Sequence, residues 1–172
     1  MSKIKKLIFC AVCVSFCVVL PMALHAVPGV GSLISPMHIP VFLCGLICGP
    51  VWGGVCGIMG PLLSCVLTQM PAAAYMPVMA VELFFYGLIS GVGMKLIKTG
   101  KYYANVYISL GVAMIAGRLL AGVAQALVFS VGSYSLEVFV SSYFAGTLPG
   151  MAVHLILVPA VISALRKARI VK

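Results

Sequence analysis

Few residues in this chain can do chemistry, and their depth in hydrophobic sequence decides what chemistry that is. Glu82, Tyr86, Arg118, Gln125 and His154 interrupt long apolar runs, His38 opens a shorter one, and Gln69 begins a loop. Arg118 is the most demanding of them. It sits in the hydrophobic run 106–131, where a guanidinium costs roughly 2.5–3.5 kcal/mol on insertion scales and more in simulations. Such a charge persists when it faces the protein interior, a water-filled cavity or a counter-charge, which makes it a functional-site candidate.

Glu82 and Tyr86 are four residues apart and share a helix face, and Gln125 lies nearly on the face of Arg118, seven residues further on. One reading of this set is a Glu82–Arg118 salt bridge that fixes helix packing. Glu82 is the shallower of the two by about 10 Å at 1.5 Å per residue, which leaves room for a polar ligand between them as the other reading. For His38 and His154, packing and ligand contact stand level. The chemistry is recognition by charge and hydrogen bonding and not bond-making. HExxH, GxSxG and Walker A patterns are absent, and two acidic residues, one of them in a loop, cannot supply a paired-carboxylate mechanism. We expect no catalytic residue, no cofactor and no metal site.

The elements that position these residues are membrane helices. Hydrophobic residues make up 63% of the 172, charged residues 8%, and mean hydropathy is +1.24, beyond the range of soluble domains. At roughly 20 residues per crossing, no length remains for a separate soluble catalytic domain. The runs 7–24, 37–49, 51–68, 78–97, 105–131 and 143–165 read as six transmembrane helices of one all-α membrane domain over residues 1–172. The second run is short, about 20 Å, and Gly49-Pro50 separates it from the third. Segments 27–36, 69–77 and 132–142 read as loops. The basic start and apolar run of the N-terminus also describe a signal peptide. However, the −3 position of a cleavage after Ala26 is Leu24, which is not small, so the first helix is read as retained.

The net charge of +9 resides in three clusters, Lys3/Lys5/Lys6, Lys95/Lys98/Lys101 and Arg166/Lys167/Arg169/Lys172, with Arg118 alone outside them. Each cluster flanks a hydrophobic run, and the three loops lack Lys and Arg. That is the positive-inside pattern of a multi-pass plasma-membrane protein with both termini cytoplasmic, and it excludes a nucleic-acid groove. All seven cysteines lie in apolar runs. Cys10/Cys13 and Cys13/Cys17 have helical spacing, but no His or carboxylate lies near them in sequence, so they read as packing residues. Small residues recur four apart at Ala11/Ser15, Gly45/Gly49, Gly53/Gly57, Gly87/Gly91 and Gly117/Ala121, a spacing that lets helix backbones approach. Packing within the chain accounts for most of them, and Ala11/Ser15 is assigned to a partner-facing surface.

Several segments together resemble a known family. They are Ser35-Pro-Met-His-Ile-Pro40 leading into 41–50, Gly60-Pro-Leu-Leu-Ser64, Val81-Glu-Leu83 through Gly91, Ala116-Gly-Arg118, and Leu148-Pro-Gly150. With the size, the six spans and the basic tail, the chain resembles a substrate-binding S component of energy-coupling factor (ECF) vitamin transporters. The resemblance implies high-affinity binding of a vitamin or related micronutrient from the extracellular side. It also implies docking on a transmembrane scaffold subunit and two cytoplasmic ATPases, through small residues of the first helix that Ala11 and Ser15 match. The loaded subunit would topple within the membrane, driven by its partners. The pocket implied by the resemblance brings in His38, Gln69, Glu82, Tyr86, Arg118, Gln125 and His154. Arg118 suits an anionic group. The resemblance favours pantothenate, then riboflavin or FMN, for which the stacking aromatics on offer are Tyr75, Tyr86 and Trp52. Two alternatives stay open: a structural or interaction membrane protein whose polar residues hold the bundle together, and a self-sufficient small-solute carrier.

Overall fold

The computed structural model of the chain describes residues 1–25, 35–129 and 148–171. Among these, every regular element is helical. The helices are α1 (Lys3–His25), α2 (His38–Cys48), α3 (Pro50–Thr68), α4 (Met76–Leu96), α5 (Tyr102–Ala124) and α6 (Leu148–Lys167). A π-helical turn, Gln125–Phe129, continues α5. Five of the six helices are long and apolar enough to cross a membrane. The sixth, α2, has 11 residues and rises about 16 Å, so of the six expected transmembrane helices this one, already short in the sequence, falls below the length of a crossing. The cause is local. A turn at Ser35 (φ 45°) delays its start, and Gly49, at φ 99°, ends it one residue before Pro50 opens α3. The extended loop expected over 27–36 falls mostly outside the described residues, as does that over 132–142.

Shortness does not put α2 at the edge. It packs against α1, α3, α4, α5 and α6, and nine of its 11 residues are buried, so its apolar character serves the core and not a lipid contact. Phe42, Val41 and Cys44 are among its fully buried side chains. The lipid-facing role falls to longer helices such as α1, where Ile4, Leu7, Ile8, Val12, Phe16 and Val19 stand exposed, and α5, where Val112, Ile115, Leu119 and Val123 do.

Glycine sets how closely α2, α3 and α4 approach. A Cβ on Gly87 of α4 would collide with the carbonyl of Gly53 on α3, and one on Gly53 would collide in turn with the Gly87 carbonyl and lie 2.6 Å from Gly45 Cα. The small-residue spacings at Gly45, Gly53, Gly57, Gly87 and Gly91 therefore do work within the chain. Ala11 and Ser15 are exposed on α1, and the Ser15 hydroxyl donates back to the Ala11 carbonyl at 3.0 Å.

The three basic clusters share one end of the bundle. The Cys48 thiol at the foot of α2 lies 3.9 Å from the Lys6 carbonyl, the Lys95 side chain reaches Gly49, and the Arg166 guanidinium sits 4.0 Å above the Tyr102 ring. His38, Glu82 and His154 lie toward the other end, because α2, α4 and α6 all run from that end to the basic one.

Candidate functional site

Four helices carry the polar groups to one place. Glu82 and Tyr86 come from consecutive turns of α4, Arg118 from the middle of α5, His38 from the first turn of α2 and His154 from α6. The Tyr86 hydroxyl donates to Glu82 Oε1 at 2.7 Å and accepts from Arg118 Nε at 2.7 Å. This changes the expected relation between the two charges. Tyr86 is one turn deeper than Glu82, so its phenol reaches the level of Arg118 and fills the gap with a hydroxyl. Among the described residues Glu82 and Arg118 are relayed and not directly paired.

Gly117, the neighbour of Arg118, makes this possible. A Cβ there would run into the Tyr86 ring, so the ring lies against bare α5 backbone. Arg118 is buried at 4% exposure, and its Nη1 has no hydrogen-bond partner among the described residues. A buried guanidinium with one nitrogen engaged and another unmet is a strong site for an anionic oxygen.

The histidines form the upper part of the cluster. His38 Nδ1 lies 3.1 Å from the Ser35 carbonyl and His154 Nε2 3.4 Å from the same oxygen. A carbonyl only accepts, so each of those nitrogens carries the proton. The two rings stack at 5.4 Å with 18° between planes, and His38 Nε2 stands 3.8 Å from Glu82 Oε1. Phe42, one turn along α2 from His38, closes the set at 5.1 Å from Tyr86 and 5.8 Å from His154. Sequence reasoning missed Phe42 and the Ser35 carbonyl. The spacing of Phe42 from His38, four residues on a helix, was the available signal for the first.

Of the other expected residues, Gln69 is exposed at the left-handed residue (φ 59°) that ends α3. Gln125 is half-buried at the junction of α5 and the π turn. Of the aromatics considered for stacking, Tyr75 is exposed, while Trp52 lies near the basic end, its carbonyl accepting from cysteine thiols. Only Tyr86 of the three belongs to the cluster.

Tyr86→Phe removes the relay while keeping the ring. It leaves Arg118 Nε without its acceptor and Glu82 with His38 alone among the described residues, and is expected to lower stability by about 1–3 kcal/mol. The check is thermal unfolding in detergent, with Tyr107→Phe, on an exposed residue of α5, as the unaffected control.

A family model described as the substrate-specific component of ECF transporters matches residues 5–168. No curated protein and no solved structure gives a significant match.

Proposed function

The chain belongs to the substrate-specific components of ECF transporters, and from that premise we propose that the cluster around Arg118 is where it holds its substrate. As a member of this family it is a multi-pass, substrate-binding transporter subunit that works with the scaffold and ATPases of an ECF module and not an enzyme. The observation that carries the site assignment is the buried Arg118 guanidinium, held at Nε by Tyr86 with Nη1 unmet among the described residues. The Arg118 charge draws an anionic group, and Glu82 and the two imidazoles draw hydroxyl or amide groups beside it. A small acid bearing hydroxyls and an amide, of the pantothenate kind, suits that pairing. A flavin suits it less, since Trp52 and Tyr75 stand outside the cluster.

The orientation we propose puts both termini in the cytoplasm and the site in the outer half of the bundle. The support is the sharing of one end by the three basic clusters together with the positive-inside rule. The membrane is then the plasma membrane, with uptake from outside. Exposed Ala11 and Ser15 on α1 suit contact with the scaffold.

A second reading rests on the Tyr86 relay. A hydroxyl that already links Glu82 to Arg118 can serve bundle assembly alone. The experiment that separates them is native mass spectrometry of the purified protein. A co-purified acidic small molecule of one defined mass is the expected result. Failure to retain such a molecule, together with no binding of pantothenate or riboflavin by calorimetry, would sink the site assignment. Co-purification of a scaffold subunit and ATPases from native membranes tests the partners separately.

A further inference from the structure

The cysteines that read as packing residues assemble into something more specific. Cys10 on α1, Cys44 on α2 and Cys56 on α3 are buried, and their Sγ atoms all lie within 4.8 Å of one another. No pair of them is close in sequence, so helical spacing along α1 could not have shown the group. Two of the thiols turn to one acceptor: the Trp52 carbonyl lies 3.3 Å from Cys44 Sγ and 3.6 Å from Cys10 Sγ. None of the three belongs to a disulfide. Cys44 lies six residues along α2 from His38, about 9 Å.

We propose that these three thiols form a binding site for a soft monovalent d10 cation, Cu(I). The dimensions fit. A trigonal ion with metal–sulfur bonds of about 2.3 Å holds its sulfurs about 4.0 Å apart, so the group closes on the ion by less than about 1 Å. The ligand set is sulfur alone, which selects a soft ion over Mg2+, Ca2+ or Mn2+. One consideration favours Cu(I) over Zn2+. Structural Zn2+ sites take four ligands, and among the described residues the thiols that all lie within 4.8 Å of one another are these three, although Cys13 and Cys48 also lie against Cys44. The three sulfurs coordinate as thiolates, so binding displaces their protons.

The test loads full-length protein in detergent with Cu(I), generated anaerobically with ascorbate, then washes it with bathocuproine disulfonate and counts retained copper. One chelator-resistant Cu(I) per chain is expected, with X-ray absorption showing only sulfur neighbours at about 2.3 Å. Cys44→Ser and Cys56→Ser should each reduce retention at least tenfold, and Cys65→Ser, outside the group, should leave it unchanged. Absence of retained copper, nitrogen or oxygen neighbours in the absorption spectrum, or equal retention in a Cys10/Cys44/Cys56→Ala triple variant would overturn the site. The absorption spectrum is read on the unsubstituted protein, so the outcome stands even if a variant misfolds. Substrate binding through Arg118 is a separate measurement that this result leaves untouched.

Discussion

Replacing Arg118 with alanine is expected to lower substrate affinity by roughly 30-fold to several thousand-fold while the helices stay assembled. The range follows from truncating one partner of a buried, charged contact, which costs about 2–5 kcal/mol, at 1.4 kcal/mol per factor of ten. Among the described residues the guanidinium contributes one bond to the fold, Nε to the Tyr86 hydroxyl, and removing it leaves that hydroxyl its donation to Glu82. Structural loss should therefore be smaller than loss of binding. Arg118→Lys keeps the charge without the planar fork and should fall between wild type and alanine. Calorimetry with the ligand found by native mass spectrometry reads the affinity, and thermal unfolding in the same detergent reads the fold. If the cluster serves assembly alone, the pattern reverses. Arg118→Ala then unfolds the protein, and adding Glu82→Gln restores part of the loss by removing the stranded carboxylate.

The second large effect concerns the seam between α3 and α4. Gly87→Leu is expected to abolish recovery of folded protein from membranes, because its first side-chain carbon already collides with the Gly53 backbone. Overpacking a core of movable side chains costs about 1–3 kcal/mol. Here the obstacle is a helix backbone, which cannot step aside unless α3 leaves α4. Gly111→Ala is the matching control, since a Cβ there meets nothing within 4 Å. Detergent size-exclusion of fluorescent fusions distinguishes a monodisperse Gly111→Ala from an aggregated Gly87→Leu. Equal behaviour of the two would contradict the close approach.

Depth was legible in the sequence, and neighbours were not. Hydrophobic runs bounded by Gly and Pro placed the helices to within a few residues: 51–68 against Pro50–Thr68, and 78–97 against Met76–Leu96. Rise per residue also ranked Glu82 above Arg118. What one-dimensional spacing could not supply was azimuth. Which helix Arg118 faces depends on how α5 is rotated against α4, and that rotation is set by Gly117 yielding to the Tyr86 ring. The relay was hidden for this reason, although Tyr86 itself was among the residues singled out. The same limit applies to Cys10, Cys44 and Cys56, brought together from three helices by contacts with no periodic trace. Nor could composition show that the shortest helix would be the most enclosed. Apolar sequence reads alike whether it meets lipid or protein.

That enclosure has a mechanical consequence. With α2 wedged among five neighbours and tied to α3 through Gly49 alone, no helix bordering it can slide without dragging a shared axle. For the toppling that the family resemblance implies, such a hub would let the loaded subunit turn over as a solid, much as a loaded drum turns on its bearing.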